Sequence, residues 1–163
     1  IGTIYSKPRG GAGFSYFKDP AKTDQARRGE YMTVGDVGYL DDDGYLYLCD
    51  RKADMIISGG VNIYPAELEG VLVAHPKVAD VAVFGIPNEE WGEEVKAVVQ
   101  PAIGVEGSDD LSAELMQYAQ ERVAKYKLPR TIDFMSELPR DDNGKLYKRK
   151  LRDPYWSGRE RAI

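Results

Sequence analysis

RKADMIISGGVNIYPAE, residues 51–67, is the most informative stretch of this sequence. The charged residues 50–54, which overlap its start, interrupt two apolar segments and therefore predict a domain boundary. Residues 55–57 predict a strand, and the glycine pair at 59–60 predicts a turn with positive φ or a close approach of the backbone to a ligand. Pro65 fits the first turn of a helix. The apolar positions of that helix are Leu68, Val71 and Leu72.

Downstream of this stretch, strands and helices alternate. Residues 78–86 and 94–99 are apolar runs typical of two strands, and residues 131–135 predict a shorter third one. Before that third strand, apolar residues at helical spacing predict a helix that begins at Leu111. Its stripe comprises Leu115, Tyr118, Ala119, Val123 and Tyr126. Together with the elements before them, these predict a small α+β domain, a short sheet with packed helices, over residues 54–163.

Upstream, residues 1–49 are rich in glycine and aromatic residues and predict β-structure. Two apolar runs, 37–40 and 45–49, flank an Asp/Gly turn, which is the pattern of a β-hairpin. The acidic turn also suggests a calcium-binding EF-hand loop. Aligning Gly44 with the glycine of that loop places Tyr39 where an acid is required, which excludes calcium binding of this kind. We expect this β-rich segment to be the end of a larger domain.

Composition excludes several classes of function. The formal net charge of −5 argues against nucleic-acid binding, which usually needs a basic surface. No apolar run reaches the length of a membrane span, and the single cysteine, Cys49, suits a reducing cytoplasm. The single histidine, His75, has no partners of its own kind, so we expect no protein-bound metal. The sequence is therefore expected to be cytoplasmic, without a transmembrane segment.

Three segments carry residues suited to chemistry. Residues 33–36, TVGD, place the Asp36 carboxylate beside a glycine, where it can accept hydrogen bonds from two ribose hydroxyls; an ordinary Asx turn is the alternative. The glycine pair at 59–60 fits close approach of a ligand, although such a pair usually marks only a turn. Lys145 ends the loop PRDDNGK, residues 139–145, and can neutralise a phosphate, although most surface lysines are merely solvated.

In this order, the three segments resemble the adenylate-forming superfamily, which includes acyl-CoA synthetases, luciferases and the adenylation domains of peptide synthetases. The resemblance runs from residue 1 to about residue 151. Residues 33–36 correspond to the TGD turn of the family, with Val34 inserted before the glycine. Residues 51–67 correspond to its hinge and the loop that follows, and residues 139–145 to its PxxxxGK motif.

The resemblance implies a domain organisation. Residues 1–49 end the large N-terminal domain, residues 50–53 form the hinge, and residues 54–163 form a mobile C-terminal lid. The family usually carries Asp or Lys at the hinge position. Here that position is Ala53, flanked by Lys52 and Asp54. Alanine can make the φ/ψ change that rotation needs, so a lid that turns between two reaction steps is still implied.

Each matching position implies a role. Lys145 is the implied catalytic residue, which bridges the substrate carboxylate and the α-phosphate of ATP, because a fixed ammonium there stabilises developing charge. The implied nucleotide contacts are Asp36 at the ribose hydroxyls, Leu48 near the adenine and Arg51 on the ribose–phosphate side. The implied CoA contacts after lid rotation are Ser58, Gly59, Gly60, Tyr126 and Lys127.

The implied reaction joins a carboxylic acid, expected to be a fatty acid, to CoA with consumption of ATP and the help of Mg²⁺. The implied partners are the chain's own N-terminal domain and, as in some relatives, a protein acetyltransferase acting on Lys145. An adenylation domain that loads a carrier protein, a luciferase-like oxygenase and a non-catalytic interaction module remain alternatives. Because residues 1–163 lack the ATP-gripping loop and the acyl pocket, we expect them to be inactive alone. We also expect self-association, because the aromatic- and glycine-rich stretch before residue 50 would expose an apolar patch without the rest of its domain.

Overall fold

The computed structural model describes residues 1–10, 13–159 and 161. The chain divides into two compact units, Ile1–Ala53 and Asp54–Ile163, which we name the N-terminal unit and the C-terminal unit.

The N-terminal unit consists mainly of short antiparallel strands. Its elements are β1 (Gly2–Thr3), α1 (Pro20–Gln25), β2 (Arg27–Arg28), β3 (Tyr31–Met32), β4 (Asp36–Leu40) and β5 (Leu46–Arg51). One sheet has the order β1-β4-β5, and β2 pairs with β3. The hairpin predicted around residues 41–44 is confirmed as β4 and β5. Asp41 closes its turn by accepting hydrogen bonds from the amides of Asp43 and Tyr45.

The C-terminal unit is α+β, as predicted. Its elements are β6 (Ile56–Ser58), β7 (Val61–Ile63), α2 (Pro65–Val73), β8 (Val78–Asn88), β9 (Gly92–Pro101), α3 (Asp109–Gln120), β10 (Thr131–Phe134) and α4 (Lys148–Arg152). β9 is central: it pairs antiparallel with β8 and parallel with β10. The β6–β7 hairpin joins this sheet where Ser58 lies opposite Gly92.

Alternation along β8 and β9 gives the sheet two apolar faces. Side chains on one face of these strands, such as Val83 and Ala97, pack in the main core with residues of α2 and α3, including Leu72 and Leu115. Side chains on the other face form a smaller cluster. That cluster contains Ala82, Phe84, Val98 and Leu138, with Leu146 and Leu151 packed against it. The segment that carries Lys145 is therefore anchored on the sheet face opposite α2 and α3.

Two details of the sequence-based prediction were wrong. The apolar stripe suggested a helix running past Val123 to Tyr126, but α3 ends at Gln120. The amides of Arg122 and Val123 turn back to the Ala119 carbonyl, and residues Lys125–Lys127 form a separate 3-10 turn. The single strand expected before α2 is in fact the β6–β7 hairpin, because both glycines between the strands adopt positive φ.

Candidate functional site

Lys145 lies on a short loop that closes on itself. Arg140 and Leu146 form an antiparallel β-bridge, and the Tyr147 amide donates to the Pro139 carbonyl at 2.8 Å. Inside this bridge, the amide of Asp141 donates to the Lys145 carbonyl at 2.8 Å. The Asp141 carboxylate in turn accepts from the amides of Asn143 and Lys145, each at 2.9 Å. The backbone that carries Lys145 is therefore fixed by hydrogen bonds on both sides.

The side chain of Lys145 is exposed, although its loop is anchored. Leu138 before the loop is 1% exposed, and Leu146 after it packs against the same cluster. No ion pair is formed by the Lys145 ammonium within residues 1–10, 13–159 and 161. This arrangement presents a cation from a rigid loop and keeps the charge available for a ligand.

Two of the three predicted nucleotide contacts are neighbours in the N-terminal unit. Asp36 and Arg51 are register partners across β4 and β5, with Arg51 Nε 3.9 Å from Asp36 Oδ1. Just before Asp36, Gly35 has φ +90°, and its amide donates to Thr33 Oγ1 at 3.0 Å, which makes the predicted turn. Leu48, the third predicted contact, lies on β5 and is 62% exposed.

The predicted hinge residues Lys52, Ala53 and Asp54 form a 3-10 turn directly after β5. The amide of Lys52 donates to the Gly35 carbonyl at 2.7 Å. Asp54 Oδ1 lies 3.7 Å from Arg152 Nη1, an ion pair within the C-terminal unit. A pivot at these residues stays a prediction.

The C-terminal unit contains a groove that brings together three of the five predicted CoA contacts. Ser58, Gly59 and Tyr126 line this cavity of about 630 Å³, whereas Gly60 and Lys127 do not. Its remaining lining residues are Val61, Trp91, Glu94, Val95, Met116, Lys125, Leu128, Pro129 and Arg130. The ammonium of Lys127 is instead held by the Glu67 carboxylate at 2.6 and 2.7 Å.

Trp91 is a groove residue that the sequence analysis missed. Its ring lies against Gly59: a Cβ added there would be 2.6 Å from Trp91 Cε3, and the Gly59 amide donates to the Trp91 carbonyl at 2.8 Å. The available signal was a large aromatic residue in the polar turn before β9. Gly59 is thus required for two reasons, since it also has φ +56°.

The segment after α4 makes side-chain hydrogen bonds to the rest of the C-terminal unit. Trp156 Nε1 donates to the Gly85 carbonyl of β8 at 3.0 Å. The Arg161 guanidinium donates to both carboxylate oxygens of Glu93, at 3.1 and 2.9 Å, and to the Met55 carbonyl at 2.9 Å. This segment is therefore held against the sheet by hydrogen bonds.

Across the described part of the chain, no helix is long and apolar enough to span a membrane.

Comparison with known proteins identifies the class. Residues 67–145, from α2 to the Lys145 loop, match the family described as the AMP-binding enzyme C-terminal domain. The chain therefore belongs to the adenylate-forming enzymes and carries their AMP-binding C-terminal domain.

Two curated relatives are named as CoA ligases. The 2-succinylbenzoate–CoA ligase of Geobacillus kaustophilus (strain HTA426) is 47% identical over 137 residues, which are 84% of this chain and 27% of that protein. The long-chain-fatty-acid–CoA ligase FadD13 of Mycobacterium tuberculosis (strain CDC 1551 / Oshkosh) is 43% identical over 141 residues, 86% of this chain and 27% of that protein. The chain thus spans little more than a quarter of the length of these relatives.

A solved structure supports the fold. The o-succinylbenzoate CoA synthetase (MenE) of Bacillus subtilis, in complex with the acyl-adenylate intermediate OSB-AMP, aligns with a TM-score of 0.75 and 40% identity. The alignment covers 85% of this chain and 28% of the MenE chain.

Proposed function

We propose that this chain is the C-terminal part of an AMP-forming acyl-CoA synthetase, an acid–thiol ligase that activates a carboxylic acid as acyl-adenylate and transfers it to CoA. The two curated relatives described above support this proposal, because both are named as CoA ligases. The structural observation that carries the proposal is Lys145, an exposed cation on a loop whose backbone is held at both ends.

Lys145 serves the first step. A carboxylate oxygen of the acid attacks the α-phosphorus of ATP, and pyrophosphate leaves with the electrons of the broken P–O bond. Charge moves between the carboxylate and phosphate oxygens as this occurs, and the Lys145 ammonium stabilises it without reorganising. Loss of such a contact costs about 3 kcal/mol, roughly a hundredfold in rate.

The ATP co-substrate fits the pair Asp36 and Arg51. The carboxylate supplies acceptors for the ribose hydroxyls, the guanidinium supplies donors for phosphate oxygens, and the pair is far enough apart for each to bind a ligand. Leu48 offers an apolar surface near the adenine. The described residues hold no group of three or more His, Cys, Asp or Glu side chains suited to a metal ion. We therefore assign none of these described residues to the Mg²⁺ that accompanies ATP.

The groove lined by Ser58, Gly59 and Tyr126 serves the second step. There the thiol of CoA attacks the acyl carbon and AMP leaves. The Trp91 ring forms an apolar wall beside Gly59, which has no side chain, and this wall suits the thin pantetheine arm of CoA. The exposed cations Lys125 and Arg130 suit the phosphates of CoA. We propose that a pivot at residues 52–54 presents Lys145 and the groove to one active site in turn.

The acid is proposed to be a fatty acid, with aryl acids as the competing class, since the two curated relatives are named for one of each. The enzyme is proposed to act in the cytoplasm. Residues 1–163 alone are proposed to be inactive; acyl-CoA formation by them would contradict this. Acetylation of Lys145 by a protein acetyltransferase would remove its charge and stop adenylation. Full adenylation by Lys145→Gln would contradict that regulation.

The test is to express the full-length protein that contains this chain and measure ATP–pyrophosphate exchange over a panel of fatty and aryl acids, for wild type and Lys145→Ala. Both proteins also receive pre-formed acyl-adenylate with CoA or with a carrier protein. We expect exchange to fall at least about a hundredfold in the variant while thioester formation from the adenylate survives. Normal exchange by Lys145→Ala would show that Lys145 is only a surface lysine.

A further inference from the structure

Besides the apolar packing of Leu138 and Leu146, the side chain of Arg140 connects the loop that carries Lys145 to the sheet. One terminal nitrogen of its guanidinium, Nη2, bonds to Asp80 Oδ2 on β8. The other, Nη1, donates to the Gly144 carbonyl at 2.8 Å. A single planar group therefore joins a fixed strand to the residue immediately before Lys145.

Asp80 is itself held in place. It lies at an irregularity of the β8–β9 ladder, and its second carboxylate oxygen, Oδ1, accepts from the Val81 amide at 2.8 Å. The backbone of β8 thus orients the carboxylate, and the carboxylate orients the guanidinium of Arg140.

The two hydrogen bonds that reach the Gly144–Lys145 peptide come from opposite sides. Arg140 holds its carbonyl oxygen, and the Asp141 carboxylate holds its N–H at 2.9 Å. Because a peptide unit is planar, fixing both groups fixes the plane that precedes the Lys145 Cα. The Asp141 amide, which donates to the Lys145 carbonyl at 2.8 Å, holds the plane that follows, and the two planes together set the direction in which the Lys145 side chain leaves the backbone. Gly144, at φ +79°, would otherwise give the first plane unusual freedom.

We propose that Arg140 is a positioning residue for Lys145 and that Asp80 is its anchor. The inference rests on the proposed function, because it assumes that Lys145 acts in adenylation. Global stability is not the purpose of this contact: the Arg140 side chain is 44% exposed, and exposed ion pairs contribute little to folding. Placement is where the contact matters, since an error of about 1 Å in a reacting group costs about a hundredfold in rate.

The first test measures the loop directly in the 163-residue chain by NMR hydrogen exchange. Arg140→Gln removes the fork that spans Asp80 and Gly144, and we expect exchange of the Lys145 amide to rise at least about tenfold, because its peptide plane is then held only by Asp141. Arg149→Gln is the matched control. It removes the same charge from the same segment, but its partner is the nearby Asp153 and not the loop. Unchanged exchange in Arg140→Gln overturns the proposal.

The second test measures catalysis in the full-length enzyme. Arg140→Gln should lower kcat of adenylation about 10- to 100-fold with KM for ATP unchanged, and should leave thioester formation from acyl-adenylate intact. Arg140→Lys, which can reach only one of the two partners, should be intermediate. Asp80→Asn should add little to Arg140→Gln, because both act on one contact. Normal adenylation in Arg140→Gln, or an equal loss in both half-reactions, overturns the proposal. Failure of the proposed function shows itself differently, as normal exchange of pyrophosphate in Lys145→Ala.

Discussion

Asp36 and Arg51 stand opposite each other across β4 and β5, yet their charged atoms stay 3.9 Å apart. The Arg51 side chain is 59% exposed, so the attraction between the two is weak and screened by water. The Asp36 carboxylate and the Arg51 guanidinium are thus only weakly engaged with each other. Together they offer hydrogen-bond acceptors and donors to a ligand that needs both.

The first prediction concerns this pair. In the full-length enzyme, Asp36→Asn should raise KM for ATP about 10- to 100-fold, because charge-assisted hydrogen bonds to the ribose are worth about 1.5–3 kcal/mol. Asp42→Asn is the control, since it removes the same charge from the exposed turn of the same hairpin. A similar KM for both variants would remove Asp36 from the nucleotide site.

The second prediction separates steric from conformational effects in the groove. Gly59→Ala and Gly60→Ala both place alanine at positive φ, φ +56° and +78°, and each should cost about 1–2 kcal/mol of folding free energy. Only the Gly59 variant also drives a Cβ into Trp91, because nothing lies within 4 Å of the position at Gly60. Thioester formation from acyl-adenylate should therefore slow more than tenfold in Gly59→Ala alone, with adenylation preserved in both. Equal rates in the two variants would contradict a role for the Trp91 wall.

The third prediction concerns the buried carboxylate of Glu93, which is 3% exposed and paired with Arg161. Arg161→Ala should lower the free energy of unfolding by about 3–5 kcal/mol, because it leaves a buried charge without its cation. Urea unfolding measures this, with the exposed Arg159→Ala as the control. Adding Glu93→Gln to Arg161→Ala should restore part of the loss. If Arg161→Ala and Arg159→Ala unfold at the same urea concentration, the pair of Glu93 and Arg161 contributes nothing to the free energy of unfolding.

The fourth prediction concerns pH. A hydrogen bond from the Lys77 ammonium, with smaller electrostatic help from Lys77 and His75, holds the pKa of Glu114 below its usual value of 4.5. A carboxyl whose pKa is lowered by folding stabilises the protein above its unfolded pKa, and this contribution disappears as pH falls through the folded pKa. In an NMR titration below pH 4.5, Lys77→Met should move the pKa of Glu114 upward, and Lys125→Met should not. An unchanged titration would show that the Lys77 contact, 2.6 Å long, is absent in solution.

Local patterns in the sequence account for much of the fold. Pro65 begins α2, the valine-rich runs became β8 and β9, and the Asp/Gly turn at 41–44 joins β4 to β5. Each of these features depends on residues close in sequence, where propensity and spacing carry the information. The stripe that ended at Tyr126 failed because apolar spacing does not show where hydrogen bonding stops, and here the backbone leaves the helix after Gln120.

Side-chain contacts between distant residues could not be obtained in this way. Lys127, whose contact with CoA stays a prediction, pairs with Glu67, 60 residues away, and no local pattern signals this pair. In the sequence, Arg140 is one of several charged residues in a loop. Its partner Asp80 is also 60 residues away, and only the fold places the two side by side. Which partner a long charged side chain selects depends on the register of β8 against β9 and on the path of the chain across the sheet. Neither has a local signature.

The bond from Arg161 to Met55 brings the last described residue of the C-terminal unit to within 2.9 Å of the second residue of that unit. A unit whose two ends meet is a natural candidate for circular permutation. A short linker could join residue 161 to residue 54, and new ends could open in the exposed loop at 106–108, between β9 and α3. The Lys145 loop would then precede the glycine pair at 59–60 along the chain, while both stayed attached to the same sheet.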